Sequence, residues 1–405
     1  MLQVKDVGRR LAGGHAELYA TVTSGRKALP AQQAWLRYPE GCFDGLSRTS
    51  DAFVPGMLLA AMRLGMPLRV EGVISEKMLE GAQQFMEIIH GWCRAYRPVR
   101  IVADEVAPAQ ARGSQIGAFF SGGVDSFYTA LKNGGPEVPS DRRISTLIFI
   151  QGFDIKLADE ALYRTVLDRV AAAAHDLGKE LLCVATNLKH ATRRACDWRY
   201  YHGQVLASAA LGLEGFLRRV HIPATYSLRD GTPHGSHPLL DPLWSTETLD
   251  VVHDGCEVTR IEKMLSAIVR SPTALAHLRV CMKNHGGKYN CGKCPRCLRA
   301  KASLTIAGAL SQCQAFDGTL DYDAVATTIL SDASCRLFTR DILEAAIANR
   351  ADPRLIRALA RSLSLSARLR PRYWPIYARQ ASRTLRRRLF GGVFEKATWQ
   401  CWLRG

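Results

Sequence analysis

Ser121-Gly122-Gly123-Val124-Asp125-Ser126 is the stretch whose residue types point most directly to chemistry. Two successive glycines let the backbone approach an anion closely and take dihedrals that side chains forbid. The N–H groups of such a turn, with those of the first turn of a following helix, form an anion-binding nest. Ser121 and Ser126 add hydroxyl donors. Asp125 is the odd member, because a carboxylate repels phosphates unless a cation intervenes. A Mg²⁺ between Asp125 and a pyrophosphate group would resolve the conflict. The plainer alternative is a Gly-Gly turn followed by an Asp/Ser helix cap. No Gly-Lys-Ser/Thr follows, so the loop is not a Walker A motif.

A second cluster lies downstream. Cys281, Cys291, Cys294 and Cys297 fall within one short segment, whereas the other eight of the twelve cysteines are scattered. Their spacing suits one tetrahedral Zn²⁺, and Gly292 and Pro295 fit the tight turns between ligands. Four thiolates leave no open position, which describes a structural site. An Fe–S cluster, a persulfide-carrying site, a redox pair and free thiols are the other uses of such a cluster. A disulfide scaffold would be shorter and would begin with a signal peptide.

These groups need elements to hold them. Residues 116–120 form a short apolar run before the glycine loop, and a helical segment follows from Ser126 to Lys132. Further strand-like runs lie at 146–150, 181–185, 220–223 and 249–252. Helical patterns separate them at 158–177 and 203–218. Strands alternating with helices predict an α/β fold with a parallel five-stranded sheet covered on both faces, its ligands at the carboxyl ends of the strands. Residues 1–110 read as a small α+β domain, with helices through Met62 and from Glu76 to about Ala95, and strand-like runs at 68–73 and 99–102. The small, polar segment 107–114 reads as a linker. The pyrophosphatase-like part spans 115–305, and residues 306–405 read as a helical, basic C-terminal region.

The hexapeptide resembles the PP-loop of the N-type ATP pyrophosphatases, enzymes that adenylate a substrate oxygen and release pyrophosphate. The resemblance implies an adenine-nucleotide α-hydrolase-like fold. It places Ser121, Gly122, Gly123, Val124, Asp125 and Ser126 on the β- and γ-phosphates of ATP. It places adenosine against the ends of the next two strands, at Gln151-Gly152-Phe153-Asp154 and at Thr186-Asn187. Leu278-Arg279-Val280-Cys281 and Asn290-Cys291-Gly292-Lys293-Cys294-Pro295-Arg296-Cys297 look like the zinc segment of the 7-cyano-7-deazaguanine synthases. That likeness covers about residues 116–305. It implies a ligase that activates a carboxylate for attack by ammonia, an amine or a thiol. Thr259-Arg260-Ile261-Glu262-Lys263 stands where those ligases carry a Thr/Lys-bearing helix, which makes Lys263 a catalytic candidate. The chain departs from the family at Trp198-Arg199-Tyr200-Tyr201-His202 and at residues 235–242, so the substrate is expected to differ.

His237 and Asp241 lie in a polar loop after a strand, where they could orient or deprotonate a nucleophile. The plainer reading of that loop is local capping of its own backbone. The net charge is +17. Twelve arginines against one acid between Arg350 and Arg388 supply +11 of it. With Tyr373, Trp374 and Tyr377, that stretch could hold RNA or another acidic partner, or form a solvated helix face. RNA thiolation or base modification is therefore an alternative activity, and a nucleotide-binding adaptor without catalysis is a third. No apolar run reaches membrane-spanning length, and the start of the chain does not resemble a signal peptide, so a cytoplasmic protein acting on a small molecule is expected.

Overall fold

A computed structural model describes residues 1–110 and 113–369. Tyr373, Trp374, Tyr377 and Arg386 to Arg388, part of the expected polyanion site, lie outside the described residues. Ten strands are present among the described residues: β1 (Leu2–Ala12), β2 (His15–Thr23), β3 (Gln32–Pro39), β4 (Leu68–Ile74), β5 (Ile101–Val106), β6 (Gln115–Phe119), β7 (Thr146–Gln151), β8 (Glu180–Thr186), β9 (Leu217–Pro223) and β10 (Asp250–Asp254). All belong to one sheet, in the order β10-β9-β6-β7-β8-β3-β2-β1-β4-β5. Pairing is parallel from β10 through β8 and again along β1-β4-β5. It is antiparallel along β8-β3-β2-β1.

The expected five-stranded sheet does not stand alone. Its five parallel strands form one half of the ten, because β3 docks on the edge of β8 with Leu36 opposite Thr186 and Arg37 opposite Ala185. Side chains reinforce the seam. Thr186 Oγ1 donates to the Trp35 carbonyl at 2.7 Å, Asn187 Oδ1 accepts from the Trp35 N–H at 2.9 Å, and Asn187 Nδ2 donates to the Gln33 carbonyl at 2.7 Å. An edge strand left unpaired would invite aggregation. Here the N-terminal strands cover it.

Local sequence explains the strands. Gly13 and Gly14, at φ of 59° and 73°, make the tight β1–β2 turn that needs two left-handed residues. In β2, Leu18, Ala20 and Val22 are buried while Glu17, Tyr19 and Thr21 point to the other face. In β7, Leu147, Ile148 and Phe149 are all buried, as in a parallel strand covered on both sides.

Twelve helices accompany the sheet among the described residues: α1 (Val54–Leu64), α2 (Glu76–Trp92), α3 (Val124–Gly134), α4 (Glu160–Asp176), α5 (Leu188–Thr192), α6 (Trp198–Leu211), α7 (Arg260–Ser266), α8 (Pro272–His277), α9 (Pro295–Ile306), α10 (Tyr322–Thr327), α11 (Ala333–Ala348) and α12 (Pro353–Leu369). They build two cores. One gathers Leu18, Leu36, Met57, Phe85, Tyr201 and Trp244. The other gathers Phe127, Leu147, Val170, Leu304, Ile342 and Leu355. The first core joins residues of 1–110 to residues of 115–305, and the second joins 115–305 to the C-terminal helices. No helix of the described residues is long and apolar enough to cross a membrane.

Candidate functional site

The glycine loop sits where the sequence predicts, after β6 and before α3. Gly122 has φ of 73°, which favours glycine. Gly123 is the N-terminal cap of α3. The segment 277–281 passes closely over the loop. The Arg279 N–H donates to the Gly122 carbonyl at 2.7 Å, and a Cβ on Gly122 would lie 3.3 Å from the Tyr289 hydroxyl. Gly122 thus serves a close approach as well as a turn.

The hydroxyls divide their work. Ser126 is 4% exposed; its Oγ donates to the Gly123 carbonyl at 3.0 Å and accepts from the Ser121 N–H at 3.3 Å. It closes the loop upon itself. Ser121 lines the open cleft above the loop, together with Gly123, Val124 and Asp125.

Asp125 is paired with two protein cations. Arg260 binds it through Nε at 3.3 Å and through a closer Nη2 contact. Lys263 Nζ lies 3.5 Å from Oδ1 and donates to the Ala224 carbonyl at 2.6 Å. Lys263 is 1% exposed, so the carboxylate offsets the cost of a buried ammonium. Both cations come from α7, whose start is fixed by a capping box between Thr259 and Glu262. The Arg260 guanidinium lies 4.5 Å from the centre of the Phe338 ring of α11.

The cleft is shallow and open to solvent, with a volume of about 140 Å³, below the usual range of ligand pockets. Arg260, Arg279, Arg296 and Arg299 line it, against Asp125, Asp154 and Asp341. Arg279 is 5% exposed, and its Nε and Nη2 have no hydrogen-bond partner. Its charged neighbour is Asp154, 3.6 Å from Nη1. Arg299 Nη1 is likewise buried and unpartnered. Buried guanidinium donors are costly to leave unmade, so these residues beside a glycine loop are suited to accept an anion. Asp341 on the α11 wall is pushed up to about 6, first by burial and then by Asp230 and Glu344.

The four cysteines come together as the spacing predicts. Their Sγ atoms all lie within 4.8 Å of one another. The contacts are 3.9 Å for Cys281–Cys294, 4.0 Å for Cys291–Cys297 and 3.5 Å for Cys294–Cys297. Tetrahedral zinc with thiolates at about 2.3 Å requires sulfurs about 3.8 Å apart, so the set fits one ion. Backbone N–H groups of Asn284 and Cys294 point at the sulfurs of Cys281 and Cys291, at 3.2 and 3.4 Å. Cys294 caps the start of α9, where the helix dipole favours thiolate charge.

The cluster also positions the cleft. Arg279 precedes Cys281 by two residues, Arg296 lies between Cys294 and Cys297, and Arg299 follows Cys297 by two. Three of the four cleft arginines therefore hang on the cysteine scaffold.

Other expected site residues have different surroundings. Thr186 is fully buried, and Thr186 and Asn187 spend their side chains on β3. Gln151 Nε2 donates to the Leu157 carbonyl at 3.4 Å. Gly152, at φ of 104°, lets the chain pass the Thr186 carbonyl, which a Cβ would meet at 2.2 Å. None of these four residues lines the cleft, and neither do His237 and Asp241. His237 Nδ1 accepts from the Leu239 N–H at 3.1 Å, the local capping role. Asp241 is fully buried and accepts from Ser236 Oγ and His253 Nδ1, both at 2.7 Å.

Sequence patterns alone assign no role to Arg260, Arg279, Arg296 or Arg299. The available signal is the placement of three of them among the cysteine ligands. Family models, curated proteins and solved structures give no match to this chain.

Proposed function

We propose that the protein is an AMP-forming ligase of the PP-loop type. It would hold the phosphates of ATP over residues 121–126 and adenylate a carboxylate or similar oxygen for attack by ammonia, an amine or a thiol. The observation that carries this reading is Arg279, a buried guanidinium with two unpartnered nitrogens, hydrogen-bonded through its backbone to the glycine loop.

In this reading the substrate oxygen attacks the α-phosphorus, pyrophosphate leaves, and the nucleophile then displaces AMP. The N–H groups at the start of α3 and the side chains of Arg279, Arg296 and Arg299 take up the negative charge of the departing pyrophosphate. That is positioning and electrostatic stabilisation rather than covalent chemistry. Mg²⁺ would shield the phosphates from Asp125, which would serve it by loosening its pair with Arg260. Zinc in the Cys281/Cys291/Cys294/Cys297 site would be structural. The test is chromatography of ATP incubated with the protein, Mg²⁺ and a panel of carboxylates and amines. AMP and pyrophosphate are expected in equal amounts; ADP and phosphate as the sole products would refute the reading.

A further inference from the structure

The face of β1, β2 and β3 turned away from the first core is built differently from the rest of the sheet. Tyr19 and Trp35 are directly opposite on β2 and β3, and neither belongs to either core. A Cβ on Gly8 would lie 2.7 Å from the Tyr19 hydroxyl, so this glycine lets the ring lie against β1. Arg10 stacks on Tyr19 with its guanidinium 4.3 Å from the ring centre, and Arg37 stacks on Trp35 at 4.1 Å. Beneath them Glu17 is fully buried and binds both guanidinium groups, Arg37 Nε at 2.6 Å and Arg10 through a closer contact. One carboxylate thus fixes two cation–aromatic pairs side by side on a part-exposed surface.

The surface continues as a basic rim. Between residues 18 and 39, and between 187 and 196, there is no Asp or Glu, against Arg26, Lys27, Arg37, Lys189, Arg193 and Arg194. The fold brings these segments together. Gln32 Nε2 donates to the Ala191 carbonyl at 3.2 Å, and Arg194 reaches the Lys27 carbonyl at 3.5 Å. Arg26, Lys27, Arg193 and Arg194 are exposed, and no ion pair with a carboxylate involves them among the described residues. Lys189 lies 4.1 Å from the Trp198 ring centre and donates to the Phe153 carbonyl at 2.6 Å. Phe153 precedes Asp154, a residue of the cleft wall.

We infer that the β1–β3 face and the adjoining rim bind single-stranded RNA, phosphates along the rim and bases against the stacked Arg10–Tyr19 and Arg37–Trp35 pairs. Aromatic rings interleaved with fixed arginines suit unpaired bases, which stack without regard to sequence, while a rim of cations tracks a flexible phosphate chain. A lipid surface offers negative charge but nothing to stack on the rings. RNA is favoured over DNA because the exposed Gln33, whose oxygen accepts from Arg10 at 2.8 Å, keeps an amide NH₂ for a 2′-hydroxyl. This surface does not depend on the adenylating activity proposed above.

The test is fluorescence anisotropy of the full chain with a fluorescein-labelled 15-nucleotide oligo-U RNA over a range of salt. Arg26→Glu/Lys27→Glu/Arg193→Glu/Arg194→Glu is expected to weaken binding at least tenfold and to reduce the salt slope by about 3, near 0.7 for each phosphate that is no longer neutralised. Trp35→Ala should weaken binding about tenfold and leave the slope unchanged, which charge alone would not do. Arg164→Glu, an exposed reversal on α4, should do neither. Thermal melts establish that each variant folds, and the Arg26/Lys27 and Arg193/Arg194 pairs reversed separately serve if the quadruple variant does not. Unchanged affinity in folded rim variants would overturn the assignment. So would equal affinity for oligo-dT, for duplex RNA or for vesicles of acidic lipid.

Discussion

The Arg279 N–H donates to the Gly122 carbonyl at 2.7 Å, and Arg279 stands two residues before Cys281. The glycine loop and the cysteine cluster are thus joined by one short stretch of backbone. The arginines that line the cleft are set by the fold of the cluster as much as by the sheet.

Metal removal should therefore act on the cleft. Zinc content of the purified protein is expected at one ion per chain. Chelation, or Cys294→Ser, should lower the melting temperature and weaken ATP binding more than tenfold. Calorimetric titration with a non-hydrolysable ATP analogue reads the second effect directly. Full analogue affinity in folded, metal-free protein would break the proposed link.

Arg279→Met should separate function from stability. The arginine keeps a buried charge with two unpartnered nitrogens, so a flexible apolar replacement is expected to leave the free protein as stable or more stable by about 1 kcal/mol. ATP and pyrophosphate binding should fall by about 10- to 100-fold. A large loss of stability without loss of binding would mean that the side chain serves the core.

Asp125→Asn should cost stability as well as function. It removes the negative partner of Arg260 and of the fully buried Lys263, at a cost of about 2–4 kcal/mol in urea denaturation. Pyrophosphate release should also cease. Wild-type turnover in this variant would exclude any role of the carboxylate in holding Mg²⁺.

A pH effect on stability should come from Asp51. It is fully buried, and burial pushes its carboxyl up to about 7, against hydrogen bonds from the Ser75 N–H and Thr49 that pull it down. The folded chain then binds a proton more readily than the unfolded chain between the ordinary carboxylate range and pH 7. Stability should fall as pH rises through that window, by roughly 3 kcal/mol between about pH 5 and pH 8. Asp51→Asn should flatten this dependence in denaturant melts. A wild-type slope that survives the substitution would assign it to another group, Glu214 first, whose carboxyl burial also raises.

What the sequence made legible was local. A strand, a Gly-Gly turn and a helix follow one another within 115–134, and four cysteines fall within 17 residues, so periodicity and ligand spacing sufficed. The arginines of the cleft escaped because they converge from α7, the 277–281 segment and α9, and no spacing rule links them. Thr186 and Asn187 were expected at an open strand end. Their side chains hold β3 instead, a partner some 150 residues earlier that no local pattern announces. β1, β2 and β3 were not read as strands, although the Gly13-Gly14 pair marked their first turn. Asp241 was expected in a reactive loop, but it is buried and held by Ser236 of that loop and by His253 on the edge strand β10.

The seam between β3 and β8 also sets a schedule for synthesis. β3 leaves the ribosome with one edge of its backbone unpaired, and the strand that covers that edge arrives about 150 residues later. At about 5–20 residues per second, the wait is roughly 8–30 s. For that time the nascent chain carries an open β-edge and an unfinished apolar face, the surfaces that chaperones recognise and that neighbouring nascent chains can pair with. The N-terminal strands are thus sealed into the sheet only when β8 has been made.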